Sequence, residues 1–270
     1  MGGPLTRGAM SARTWKDEKE GLPRWSIVIP AYNEEERLPT YLQEVITYFD
    51  GRGERYEVVV VDDGSQDGTG AVVEGLRDSC PTLRLVRLPR NRGKGYAVRT
   101  GMLEAAGELR LFADADGATP IREVQRLERR LAEGADIAIG SRALRDPACT
   151  LRAKWHRKFL GWVFNAVVRC LSVKGVADTQ CGFKLFRAQA AVDLFSVIQI
   201  DGYGFDVELL FVAQRRGYSI AEVPVNWADQ PGSKVRVVRD GLRMLREVWV
   251  IHRNRLRGLY TARALSAFSG

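Results

Sequence analysis

From Trp25 onward, short apolar runs alternate with amphipathic stretches. The segments "WSIVIP", "YEVVVVDDG", "LRLVRLP", "LRLFADAD" and "DIAIGSR" are dense in β-branched and aliphatic residues and close on turn formers, a pattern that predicts strands. Between them, helical periodicity covers roughly 35–50, 67–79, 94–106 and 121–133, with Pro120 suited to the first turn of the last. This rhythm predicts an α/β fold with an open, mainly parallel sheet flanked by helices. In open sheets of this kind ligands bind beyond the carboxyl ends of the strands. Asn33–Glu34, Asp62–Asp63, Asp114–Asp116 and Ser141–Arg142 each follow a predicted strand, so they should converge on one rim. That convergence, more than any single motif, points to an active site.

Beyond residue 145 the pattern changes. A basic, aromatic helix is predicted over roughly 152–172, then a strand at "CGFKLFR", a helix at "GFDVELLFVAQRRG", a strand at "YSIAEVPVNW" and a basic helix near 239–258. Residues 1–23 read as a flexible leader without the apolar core of a signal peptide. No apolar run approaches the roughly 20 residues needed to span a bilayer.

Composition narrows the class. With 270 residues, 45% hydrophobic and 27% charged, the chain can bury a substantial core. Cys80, Cys149, Cys170 and Cys181 show no metal-ligand spacing, which fits a reducing compartment. The charge is uneven. Residues 1–139 carry 20 basic against 23 acidic side chains, and residues 140–270 carry 21 against 10. A basic second half suits an anionic membrane, a phosphorylated ligand or nucleic acid. No nucleic-acid motif is present, and such binding would leave the polar strand ends unexplained.

The sharpest chemistry lies in "LRLFADADGATP". In strand geometry Asp114 and Asp116 would share one face, with Ala115 between them, and two carboxylates so close call for a cation. Oxygen donors favour Mg²⁺ or Mn²⁺, whereas zinc would call for His or Cys. His156 and His252 both sit in basic, helix-like contexts away from this cluster. Asp62 and Asp63 close a buried strand, where turn chemistry competes with a nucleotide contact. "NRGKGYAVRTG" fits neither the dinucleotide nor the P-loop pattern. Gly93 and Gly95 are therefore expected to pack a helix start tightly, leaving Lys94 as a candidate phosphate contact.

Taken in order, "IVIPAYNEEERL", "VVVVDDGSQDGT", "NRGKGYAVRTGM", "FADADGATP", "IGSRAL", "DTQCGFKLF", "GFDVELL" and "WADQPGSK" resemble a family 2 inverting glycosyltransferase with the GT-A fold, on its dolichyl-phosphate and polyprenyl-phosphate glycosyltransferase branch. The resemblance spans roughly residues 24–235. It implies a nucleotide-sugar half over 24–142, an acceptor half over 143–235, and a basic amphipathic helix and tail over 236–270. By position it implies that Pro30, Tyr32, Glu34 and Asp62 line the nucleotide pocket, with Asp63, Lys94 and Ala115 nearby. Asp114 and Asp116 match the D-x-D metal motif, Asp116 as the direct ligand. Arg142 and Lys234 match basic residues that hold donor and acceptor phosphates, Asp178 an acceptor-side acid with Gln180 beside it. Asp206 and Glu208 fall near the base of hydroxyl-glycosylating relatives. Mannosyl-transferring relatives carry an arginine shortly before the "SK" lysine. This chain reads "WADQPGSK" there, which favours the glucosyl-like branch.

The implied reaction moves glucose from UDP-glucose to a polyprenyl or dolichyl phosphate with inversion, using Mg²⁺ or Mn²⁺. A phosphate monoester, with a second pKa of about 6, is already nucleophilic at neutral pH and needs little help from a base. The helix around 152–172 sets Trp155, Phe159 and Trp162 on one stripe between cationic flanks, as a helix lying on an anionic membrane would. A peripheral location on the cytoplasmic face is therefore expected. The alternative is a hydroxyl acceptor, which would need Asp178, Asp206 or Glu208 as base. A nucleotidyltransferase would carry a glycine-rich basic loop after the first strand, where this chain has the acidic "PAYNEEE".

Overall fold

A computed structural model describes residues 21–152, 173–230 and 237–261, with backbone alone over 151–152 and 237–245. The elements are β1 (Trp25–Ala31), α1 (Leu38–Arg52), β2 (Tyr56–Asp62), α2 (Thr69–Arg77), β3 (Leu83–Arg87), α3 (Lys94–Glu104), β4 (Leu109–Ala113), α4 (Val124–Ala132), β5 (Ile137–Ser141), β6 (Leu151–Arg152), β7 (Phe183–Arg187), α5 (Ala188–Phe195), α6 (Phe205–Arg215), β8 (Ile220–Pro224), β9 (Trp227–Ala228) and α7 (Val237–Leu256). Of the basic helix expected over 152–172, Arg152 ends β6 instead, and residues 153–172, like Lys234, lie outside the described residues.

Seven strands form one sheet in the order β3-β2-β1-β4-β7-β5-β8. The β1–β2, β1–β4, β2–β3 and β5–β8 pairs are parallel, and β7 runs antiparallel to both β4 and β5. β5 therefore points the same way as β4, and the carboxyl ends of β1, β2, β4 and β5 reach one edge, as expected. The reversal of β7 brings its beginning to that edge and adds the 178–182 segment to the rim. β6 and β9 form a separate two-stranded parallel pair.

Both faces of the sheet are covered, which is why its strands read as continuous apolar runs. Along β2, Val59 and Val61 pack in a core with Ala97, Val98 and Met102 of α3, Phe195 of α5 and Phe205 of α6. Val58 and Val60 face Leu42, Val45 and Phe49 of α1, Val73 of α2 and Leu127 of α4. Two boundaries shift from expectation. α1 starts only at Leu38, with Pro39 at its amino end, because Asn33 to Arg37 form the turn that leaves the rim. α5 was not predicted; its eight residues follow β7 directly and are too few for a helical period to show.

Candidate active site

The loops that follow β1 and β2 interlock through side-chain caps. Asn33, at φ 54°, stands in the left-handed region. Its backbone N–H donates to Ser65 Oγ at 2.9 Å, and its side-chain oxygen accepts from the Gln66 N–H at 2.8 Å. The Asp62 carboxylate is buried at the end of β2 and accepts the Ser65 N–H at 2.8 Å. Pro30, Tyr32 and Glu34 are half-buried at the end of β1 and in the turn after it. Glu34 is bidentate to Arg37, at 2.7 and 2.5 Å. Asp63 is engaged differently. Its two oxygens accept the N–H groups of Arg92 and Gly93 at 2.7 and 2.8 Å, so it positions the loop that delivers Lys94. Burial, with the neighbouring Asp62 charge adding to it, raises the Asp63 carboxyl against the pull of those bonds. Gly93 and Gly95 pack tightly, as the sequence suggested. A Cβ on Gly95 would stand 2.5 Å from the Ile200 carbonyl oxygen, and the Gly95 N–H donates to the Asp201 carbonyl at 2.8 Å.

The aspartate pair lies not in the strand but in the turn after it. β4 ends at Ala113, and Gly117, at φ 64°, closes the turn. Ala115 is buried, whereas Asp114 and Asp116 are half-exposed. The Asp114 N–H donates to the Gly182 carbonyl at 2.9 Å, and its carboxylate lies so close over Gly182 that a Cβ there would fall on it. Lys94 Nζ stands 2.7 Å from Asp114 Oδ1. Burial opposes the Lys94 charge, but Asp114 and Asp206 outweigh it and raise the ammonium pKa. Burial and the charge of Asp114 together raise the Asp116 carboxyl, which accepts the Ala118 N–H at 3.0 Å. Two hard oxygen donors, with an ammonium already seated against one of them, suit a Mg²⁺ or Mn²⁺ ion.

Across the rim, Arg142 and Asp178 form a fork pair. Arg142 Nε and Nη2 donate to the two Asp178 oxygens at 2.7 and 2.8 Å, and the Arg142 N–H adds a third bond at 3.0 Å. Burial opposes ionisation of Asp178, but the Arg142 charge and its hydrogen bonds hold the carboxyl below its usual range. Glu222 of β8 accepts the N–H groups of Ala177 and Asp178 at 2.8 and 2.7 Å and fixes this loop in turn. The Arg142 guanidinium also lies 5.6 Å from the Trp227 ring centroid. The Ala228 N–H bonds the Ala118 carbonyl at 2.9 Å, tying the start of "WADQPGSK" to the aspartate turn. Cys181, buried beneath, has its thiol pushed up to about 12 by that burial and is inert.

Asp206 and Glu208 sit deeper. Lys184 of β7 donates to Asp206 at 2.5 Å and to the Cys181 carbonyl at 2.6 Å, with Lys184 0% exposed. Burial raises the Asp206 carboxyl against Lys184 and Lys94. Glu208 accepts the N–H groups of Gln199 and Ile200 at 2.9 and 2.8 Å and the Tyr260 hydroxyl at 2.6 Å. Both are buried and held by these partners, Asp206 2% and Glu208 0% exposed. Sequence reasoning missed Lys184, Gly182, Glu222 and Trp227. Only Lys184 left a signal, a lone cation inside an otherwise apolar strand.

Two aspartates, a half-buried ammonium and a clamped guanidinium thus gather at the carboxyl edge of a mixed α/β sheet. The chain belongs to glycosyl transferase family 2, matching that family over residues 26–195, and it is a glycosyltransferase with the GT-A fold. Its relatives place it on one branch of the family. The dolichyl-phosphate beta-glucosyltransferases of Mus musculus and Homo sapiens are 41% and 40% identical to it over 266 residues, spanning 91% of this chain and 82% of each relative. Glucosyl-3-phosphoglycerate synthase from Mycobacterium tuberculosis, in complex with Mn²⁺, uridine diphosphate and glucosyl-3-phosphoglycerate, superposes with a TM-score of 0.64. That likeness, at 20% identity over 93% of this chain and 86% of the other, is one of fold.

Proposed function

We propose that this enzyme transfers glucose from UDP-glucose to a dolichyl or other polyprenyl phosphate, with inversion, in a divalent-metal-dependent reaction at an anionic membrane surface. The observation that carries the reading is the Asp114–Asp116 turn, braced on Gly182 and already holding a cation in the form of Lys94. The names of the relatives at 40–41% identity support the sugar and the lipid acceptor. Asp114 and Asp116 would hold the Mg²⁺ or Mn²⁺, which would neutralise the departing diphosphate. Pro30, Tyr32, Glu34 and Asp62 would receive the uridine, and Lys94 the donor phosphates. Arg142, aimed by Asp178, would hold the acceptor phosphate by its planar fork, with Lys234 as a second cation. Catalysis is then mainly positioning two anions within reach of each other and stabilising the charge that develops.

The burial of Asp206 and Glu208 and the pairing of Asp178 with Arg142 support a phosphate rather than a hydroxyl acceptor, because none of these three candidate bases stands unengaged among the described residues. The far end of α7 supports the membrane surface. Trp249 and Leu256 are 62% and 86% exposed and about two turns apart on one helix face, with Arg253 between them, whose guanidinium lies 5.3 Å from the Trp249 ring centroid. No helix among the described residues is long and apolar enough to cross a membrane. The test is a product assay with a panel of UDP- and GDP-sugars and a short polyprenyl phosphate, read by mass spectrometry of the lipid. A hexosyl phospholipid formed from UDP-glucose alone is expected. Glycosylation of a soluble hydroxyl acceptor with no lipid product would overturn the proposal.

A further inference from the structure

Lys94 occupies an unusual position for a residue meant only to meet a donor phosphate. Its ammonium is already ion-paired with Asp114, 2.7 Å from Oδ1, with Asp206 as a second negative neighbour. It lies 5.4 Å from the centroid of the Phe112 ring, and Lys184 Nζ lies 5.8 Å from the same centroid. Asp206 accepts from Lys184 and also feels the Lys94 charge. The backbone that carries Lys94 is locked. Asp63 holds the Gly93 N–H at 2.8 Å, Asp201 holds the Gly95 N–H at 2.8 Å, and both glycines abut the 200–202 carbonyls. Only side-chain torsions can therefore move the ammonium away from Asp114.

We infer that Lys94 is a built-in counter-ion that closes the aspartate pair to divalent cations until a nucleoside diphosphate enters, so that cation and donor bind together. The inference rests on the reading of Asp114 and Asp116 as the cation-holding pair. A divalent ion arriving alone must displace an ammonium from a half-buried carboxylate and then remain beside it, which like-charge repulsion disfavours. A diphosphate removes the conflict. Its oxygens offer the displaced ammonium a new anionic partner and give the cation further ligands. Lys94 thus acts in sequence, first as the guard of Asp114 and then as a donor contact.

The test is Mn²⁺ binding followed by the electron paramagnetic resonance signal of the free ion, with and without UDP, in the wild-type chain and in Lys94→Met and Lys94→Gln. The wild type should bind Mn²⁺ weakly alone and at least tenfold more tightly with saturating UDP. Both variants should bind Mn²⁺ alone at least tenfold more tightly than the wild type, and UDP should add little. Asp116→Asn should leave the free-ion signal undiminished, which identifies the site being read. Lys94→Gln keeps a hydrogen-bonding side chain over Asp114 and decides the outcome where Lys94→Met fails to fold. Variants that bind Mn²⁺ alone no better than the wild type, while the wild type responds to UDP, would overturn the inference and leave the metal site standing. A wild type that binds no Mn²⁺ even with UDP would remove both.

Discussion

Gly182→Ala tests the aspartate turn at its support. A methyl group at 182 would land on the Asp114 carboxylate, whose two oxygens and Cγ are the three nearest atoms to that point. Neither side yields easily. The Asp114 N–H is bonded to the Gly182 carbonyl at 2.9 Å, and Lys94 pins the carboxylate from beyond. Gly182 is not in the left-handed region, so alanine brings no backbone strain there and the disturbance falls on Asp114 itself. Clearing the overlap requires a carboxylate shift on the order of 1 Å, and a misplacement of that size costs about 10²-fold in rate. The accompanying overpacking should lower stability by about 1–3 kcal/mol. The assay is the initial rate of UDP release from UDP-glucose with a short polyprenyl phosphate, alongside a thermal melt. Gly75→Ala in α2 is the control. Nothing lies within 4 Å of the added Cβ, so it should leave the rate unchanged and gain about 0.5–1 kcal/mol of stability. A Gly182→Ala enzyme that keeps kcat/KM within threefold of the wild type would refute the role assigned to this contact.

Asp178→Asn should cost about 2–4 kcal/mol in chemical denaturation, somewhat less than a fully enclosed pair because Arg142 keeps part of its solvent. Since the folded Asp178 carboxyl is held below its ordinary value, its contribution is present above the unfolded pKa of about 3.9 and lost as pH falls through the folded value. The stability gap between wild type and Asp178→Asn should therefore narrow on acidification, and a gap independent of pH down to the acid limb would contradict the pairing. Glu208→Gln should retain kcat within about threefold, whereas loss of a general base would cost about 10²–10⁴. Tyr260→Phe should leave the rate alone and lower the melting temperature, because it removes a charge-assisted hydrogen bond of about 1.5–3 kcal/mol.

The rim at the ends of β1, β2, β4 and β5 was legible because each apolar run stops where its polar motif begins, at Ala31, Asp62, Ala113 and Ser141. Parallel strands then carry those stops to one edge without further information. The part of the rim contributed by the 178–182 segment was harder. "CGFKLFR" announces a strand but not its direction, and the reversal of β7 is what sets Gly182 under Asp114. Local pattern also could not join Lys184 to Asp206 across 22 positions or Arg142 to Asp178 across 36. Such pairs are written in tertiary packing. Asp206 and Glu208, read from the sequence as candidate bases, look alike as acids at the start of α6, and only burial and partners tell that both are enclosed. The strand-period reasoning for Asp114 and Asp116 reached a close pair by a route the fold does not use, since a turn rather than a pleat brings them together.

The most direct measurement is UDP release from UDP-glucose by the purified protein, with polyprenyl phosphate and Mn²⁺ each present or withheld, in wild type and Asp116→Ala. The account predicts release only when lipid phosphate and metal are both present, and its loss in Asp116→Ala. Release that ignores the lipid phosphate, or that persists without metal and in Asp116→Ala, would contradict it.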